Sequence, residues 1–82
     1  MRYEVEFRPS ALRDIDKLSP DVARRIVGKV DALRDDLAGD VKRLKQFAPR
    51  YRLRVGDWRV LFEVEADRVI IWRVRHRGEA YD

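Results

Sequence analysis

Between residues 42 and 59 the chain holds seven Lys/Arg and one acid, Asp57. Inside that stretch, "YRLRVGDWRVLF" (residues 51–62) alternates apolar residues with arginines around a Gly-Asp pair. Folded as a hairpin on Gly56-Asp57, it sets Arg54 opposite Arg59, with Arg52 on the same face. Like charges facing each other across a strand pair are destabilising. They become favourable when an anion lies between them, because each guanidinium offers a planar fork of donors to a phosphate. Lysine and glutamate would keep an exposed face soluble without that repulsion. Phosphate binding by Arg52, Arg54 and Arg59 is therefore the expected chemistry. Lys42, Arg43, Lys45 and Arg50 precede the hairpin and extend the charge. The tail "RVRHRGEAYD" adds Arg73, Arg75, His76 and Arg77. Histidine is the side chain that exchanges protons near neutrality, which makes His76 the one evident proton-transfer candidate. Tyr81, beside a basic groove, could stack on a base.

Other chemistries are excluded or unsupported. The sequence contains no cysteine and a single histidine, so disulfides and thiolate or histidine-rich metal sites are not expected. No cofactor is implied. Asp14, Asp16, Glu63 and Glu65 sit in amphipathic patterns and read as solvated faces, with no spacing suited to a two-carboxylate site. The formal net charge is +4, unevenly spread. Residues 1–40 hold eight Lys/Arg against nine Asp/Glu, and residues 41–82 hold eleven against six. A basic half beside a near-neutral half suits a polyanion such as nucleic acid. No apolar run approaches a membrane span, and "MRYEVEF" alternates rather than forming a signal peptide. A cytoplasmic protein with no membrane association is expected.

The elements that must position these residues can be read from periodicity. The 82 residues suggest one domain, 1–82. Tyr3, Val5 and Phe7 alternate with charged residues as a half-buried strand. Pro9 opens a helix with Leu12, Ile15 and Leu18 as its apolar stripe. Ser19-Pro20 starts a second helix, with a serine cap and proline at the first helical position. Ala23, Ile26, Val30, Leu33 and Leu37 follow at helical spacing, and Gly39-Asp40 ends it. Gly28 inside this helix serves a close packing contact or is merely tolerated. Residues 41–50 form a basic connection. Strands follow at about 51–55, 58–65 and 68–75. The order β-α-α-β-β-β predicts an α+β domain, with an antiparallel sheet packed on an N-terminal helical hairpin.

Alternation puts Tyr51, Leu53, Val55, Trp58, Val60 and Phe62 on the face against the helices. The last strand has two readings. A two-residue turn at Ala66-Asp67 throws Ile70, Trp72 and Val74 onto the arginine face. A longer turn or a bulge returns them to the core and puts Arg73, Arg75 and Arg77 on the basic side. One residue of slip reverses every side chain, and burial of the three apolar residues favours the second register.

The segment from Tyr51 to the end, with its Arg52, Arg54, Gly56-Asp57 and Arg59 spacing and its His76-Arg77…Tyr81 tail, closely resembles RelE-type toxins of the RelE/ParE superfamily. The early strand, the helical hairpin and "KRLK" at residues 42–45 extend the resemblance over nearly the whole chain. It implies a fold shared with small microbial ribonucleases. It also implies a toxin that cleaves mRNA in the ribosomal A site and is neutralised in a hetero-oligomer with a co-expressed antitoxin. By position, Arg52, Arg54, Arg59, Arg77 and Tyr81 match the family's active-site residues, and His76 matches a histidine of many members. The implied reaction is metal-free attack of the ribose 2′-hydroxyl on the adjacent phosphate, giving a 2′,3′-cyclic phosphate. Some relatives carry lysines where Arg52 and Arg54 stand. Arginine keeps its proton and makes a poor base, so proton transfer falls to His76, water or the ribosome. Two alternatives remain: a ParE-like toxin that binds and inhibits DNA gyrase, and a non-catalytic RNA-binding module.

Overall fold

The computed structural model describes residues 1–44 and 48–79. Strand β1 (Glu4–Phe7) leads to helices α1 (Pro9–Asp16) and α2 (Pro20–Ala32). Strands β2 (Val41–Arg43), β3 (Tyr51–Val55), β4 (Trp58–Glu65) and β5 (Arg68–His76) follow. They form one five-stranded sheet in the order β1-β5-β4-β3-β2. The expected α+β arrangement of a helical pair against a sheet is present. Within the predicted basic connection, Val41–Arg43 pairs antiparallel with β3 as a short edge strand. The sheet is mixed, because β1 runs parallel to β5 at the opposite edge. The geometry follows from the helices. The chain leaves β1 at one edge, crosses a face as α1 and α2, and re-enters at the other edge as β2.

The crossing buries a continuous core. Ala11, Ile26, Val30 and Leu33 from the helical segment meet Leu53, Val55, Val60, Phe62, Val69, Ile71 and Val74 from the sheet. Tyr51 and Phe62 stack at 5.4 Å within the layer. Ser19 caps α2 as its sequence position predicts, accepting from Val22 N–H at 3.4 Å. Helix α2 stops at Ala32, short of the expected end near Leu37. Asp36 and Leu37 both take φ of 58°, which interrupts the helix. The chain's first residues claim the backbone groups there. Asp36 N–H donates to Met1 C=O at 2.8 Å, and Tyr3 N–H donates to Arg34 C=O at 2.8 Å. Among the described residues no helix is long and apolar enough to cross a membrane.

Strand β5 contains both of the registers left open by the sequence. A two-residue turn at Ala66-Asp67 pairs Glu65 with Arg68, Val64 with Val69 and Phe62 with Ile71. The register then shifts, so that Leu61 pairs with Arg73 and Val60 with Val74. Trp72 is the extra residue, a β-bulge that turns the strand over. Val69 and Ile71 therefore fill the core before the bulge and Val74 after it. Ile70 and Trp72, expected in the core, are half-buried. Ile70 lies opposite Glu63 on the far face. The Trp72 ring is covered by Arg8, whose guanidinium carbon stands 4.3 Å from the ring centre.

Beyond Ile71, β1 no longer covers β5, and α1 takes over that edge. Ser10 Oγ donates to Trp72 C=O at 2.7 Å, and Asp14 accepts from Val74 N–H at 2.9 Å. The two side chains lie one helical turn apart and supply the partners that a neighbouring strand would have given. Gly28 is tolerated rather than required, since a Cβ there would meet nothing within 4 Å. Replacing Gly28 with alanine should stabilise the fold by about 0.4–1 kcal/mol, measured by urea denaturation, because it removes backbone freedom from the unfolded chain.

Candidate nucleic-acid interface

The face away from the helices is built by alternation along β3, β4 and β5. Across the strands, Arg54 pairs with Arg59 and Arg59 with Arg75, giving one row of three arginines. The next row runs Lys42, Arg52, Leu61 and Arg73. Neighbouring strands lie about 4.8 Å apart, so the two rows form a lattice of positive charge at phosphate scale. The hairpin register read from the sequence holds at each of its pairs, from Val55 with Trp58 to Tyr51 with Phe62.

The lattice is less open than the sequence suggests. Arg54 and Lys42 are exposed and Arg75 is half-buried. Arg52 and Arg59, at the centre of the sheet, are only 9% and 6% exposed. Burying a charge is costly unless it is hydrogen-bonded. Arg59 Nη1 donates to Gly56 C=O at 3.0 Å and to Trp58 C=O at 3.1 Å. Arg52 Nη1 stands 3.5 Å from Asp40 C=O and 3.7 Å from its carboxylate. Carbonyl oxygens take part in holding both guanidiniums, and the Asp40 carboxylate also faces Arg52.

Two other arginines are neutralised by carboxylates whose amphipathic patterns predict solvated surfaces. Glu63 is only 4% exposed. It accepts from Arg50 N–H at 3.1 Å and from Arg50 Nε at 3.2 Å. Asp14 holds Arg73 with a fork of 2.8 and 3.1 Å. Burial pushes the Asp14 carboxyl up. The hydrogen bonds from Arg73 and Val74 N–H, with the charges of Arg73 and Arg75, outweigh burial and hold it below the usual carboxylate range. The hydrogen bond to Asp14 likewise raises Arg73. Period-two alternation along β4 already puts Glu63 on the arginine face, so that anchor was findable. The Asp14 contact spans 59 residues and had no local signal.

The tail residues divide between the faces. His76 pairs with Trp58, so it lies on the helix side, across the sheet from Arg59 and Arg75. The Trp58 and His76 rings meet edge-on, 5.2 Å apart at 88°. His76 Nδ1 accepts from Gly78 N–H at 3.4 Å. Arg77 sits at the sheet's end, its N–H donating to Asp57 C=O at 2.7 Å and its Nη1 3.8 Å from the Asp57 carboxylate. Arg43 shares the side of Tyr51 rather than the arginine face, with its guanidinium 6.0 Å from the tyrosine ring centre. The structure thus brings together Lys42, Arg52, Arg54, Arg59, Arg73 and Arg75. It places Arg50 in an ion pair one row further along, and it separates Arg43 and His76 from the arginine face. Lys45 and Tyr81 lie outside the described residues.

Residues 5–81 match the family of ParE toxins of type II toxin–antitoxin systems (parDE). Toxin RelE3 of Methanocaldococcus jannaschii is 31% identical, with the alignment covering 96% of both chains. Toxin RelG of Mycobacterium tuberculosis is also 31% identical, over 99% of this chain and 98% of its own. Among solved structures, the toxin–antitoxin complex RelBE2 of M. tuberculosis contains a chain that superposes with a TM-score of 0.82 at 28% identity. That match covers 94% of this chain and 100% of the other. The RelE–RelB complex of Pyrococcus horikoshii gives a TM-score of 0.74 at 26% identity, covering 98% of this chain and 100% of its counterpart.

The Asp14 anchor gives a pH signature. A lowered folded value means its stabilisation is complete above the unfolded carboxyl value of ~3.9 and is lost as pH falls through the folded value. Asp14→Asn should cost roughly 1–3 kcal/mol at neutral pH, having removed the charged acceptor of a part-buried network. It should also flatten the acid limb of the stability curve. Urea denaturation from neutral pH down through the carboxyl range measures both.

Proposed function

The chain belongs to the RelE/ParE superfamily of type II toxin–antitoxin toxins, and from that premise we propose that it is an endoribonuclease that cleaves mRNA in the ribosomal A site. The observation that carries this reading is the row of Arg54, Arg59 and Arg75, with Arg59 fixed by two carbonyls and Arg54 exposed beside it. In the reaction the ribose 2′-oxygen attacks the neighbouring phosphorus as the 2′-hydroxyl gives up its proton. The bond to the 5′-oxygen breaks, that oxygen takes up a proton, and a 2′,3′-cyclic phosphate and a 5′-hydroxyl result. Charge gathers on the non-bridging oxygens in the transition state. Donors already held in place stabilise that charge without having to reorganise. Arg59 is the pre-set donor of the row, with Arg54, Arg75 and the adjacent Arg52 around it. Arg77 and Tyr81 are assigned to RNA contact through the family's pattern.

Elimination among the sequence motifs leaves His76 as the candidate for proton transfer. Its side chain shares the face of Trp58, so an RNA phosphate seated on the arginine row lies across the sheet from it. The proton is therefore assigned to water or ribosomal groups, and the protein acts as an electrostatic clamp. The clamp needs a cover when idle. The similar structures of M. tuberculosis and P. horikoshii are complexes of a toxin with an antitoxin. An acidic antitoxin segment, docked as an amphipathic helix or an added strand, fits the role here.

Single-turnover cleavage of mRNA on purified ribosomes, with the ends mapped, tests the proposal. Arg59→Ala should slow cleavage about 10²–10³-fold, the scale for removal of a pre-set oxyanion donor. His76→Gln should stay within about tenfold of the parent, whereas a positioned acid–base group would cost ~10²–10⁴-fold. The matching family is described by its ParE toxins, which makes a binding-only toxin acting on DNA gyrase the second reading. Intact mRNA together with inhibited gyrase supercoiling would establish that reading instead.

A further inference from the structure

We propose that Trp58, with His76 and Arg25, forms a second RNA contact on the helix side of the sheet's end: a platform that stacks one unpaired nucleobase. The inference rests on the reading of the arginine face as an RNA surface. It adds a ligand class, a base rather than a phosphate, on the opposite face.

Trp58 is half-buried and His76 exposed, at the last pair of β4 and β5. Their T-shaped contact covers at most one face of one ring, and Trp58 is only partly packed against the core, so the pair retains aromatic surface for a third ring. Gly78 N–H on Nδ1 helps set the imidazole. Arg25, exposed on α2, reaches across to the β3–β4 turn, where a Cβ at Gly56 would come within 3.1 Å of its Nη2. Gly56 takes φ of 58°, which favours glycine at the turn. Positive charge therefore continues round the hairpin tip, from Arg54 on one face to Arg25 on the other. Asp57, the acid at the tip, faces Arg77 at 3.8 Å, which offsets its repulsion of a passing phosphate.

Trp58 follows directly on the tip and precedes Arg59 in the chain. A strand whose phosphates lie on the row of Arg54, Arg59 and Arg75 needs to turn only around the two-residue tip to bring a base to Trp58. Arg25 reaches Gly56, two residues before Trp58, so a guanidinium and aromatic rings stand at the same end of the sheet, a combination that holds single-stranded nucleic acid without sequence readout. The other tryptophan, Trp72, has Arg8 over its ring and offers no such site.

The test uses the whole purified chain and a labelled oligoadenylate with 2′-O-methyl sugars, which lacks the attacking hydroxyl. A matching oligomer with abasic positions keeps the phosphates and removes the bases. Wild-type protein should bind the intact oligomer about tenfold more tightly than the abasic one, with quenching of tryptophan emission. This arm needs no variant to fold. Trp58→Leu should abolish the discrimination and the quenching, and Trp58→Phe should retain the discrimination. Arg25→Ala should lower the salt dependence of binding by about one unit of slope. Equal affinity of the wild type for both oligomers, or discrimination that survives Trp58→Leu, overturns the platform. Failure of the underlying reading looks different: abasic binding would then be unaffected by a combined Arg54→Ala and Arg59→Ala change.

Discussion

The two-residue closure at Gly56-Asp57 constrains the rest of the molecule. A strand has two faces, and a turn this short leaves no residue free to exchange them. Val55 must face Trp58, and Arg54 must face Arg59. Once Leu53, Val55, Val60 and Phe62 are committed to the helices, the arginines are committed to the other side. Burial of the apolar face holds in place a like-charge pairing that would be disfavoured on its own. Gly56 makes the closure possible by its φ of 58°.

The opposite side of the sheet shows how a short strand is made to serve. Strand β1 pairs with β5 only as far as Ile71. The bulge at Trp72 lies just beyond, where β5 changes from one register to the other. Helix α1 contributes Ser10 and Asp14 to the exposed backbone, so the edge is satisfied by side chains rather than left open. Asp14 also neutralises Arg73. One carboxylate thereby joins the stability of the last strand to the charge balance of the arginine face.

That balance is selective. Arg50 and Arg73 are matched by Glu63 and Asp14, while Arg59 donates to two carbonyl oxygens and Arg52 stands beside the carbonyl and carboxylate of Asp40. Carboxylates hold the arginines at the margins of the face, and carbonyl oxygens contribute to holding those at its centre. Donors already held in place need not reorganise when they meet a phosphate. The separation of His76 from this centre follows from the same alternation. Along one strand, Arg75 and His76 project to opposite faces.

The β3–β4 hairpin, its two faces and the starts of the helices were legible because each depends on residues near in sequence: a period of two, a glycine in a short turn, a proline in the first turn, a serine before a proline. The alignment of Arg54 with Arg59 belongs to that class, and so does the position of Glu63 on the arginine face. Tertiary structure decided the bulge at Trp72, where the core demanded Ile71 on one side of the bulge and Val74 on the other. It also ended α2 at Ala32, through hydrogen bonds with residues far earlier in the chain. The short strand β2, the anchoring of Arg73 by Asp14 and the reach of Arg25 to Gly56 depended on it too. These features are set by which distant elements come into contact. Local periodicity specifies the side on which a residue lies, whereas burial and the pairing of distant backbone and charged groups specify what it meets there.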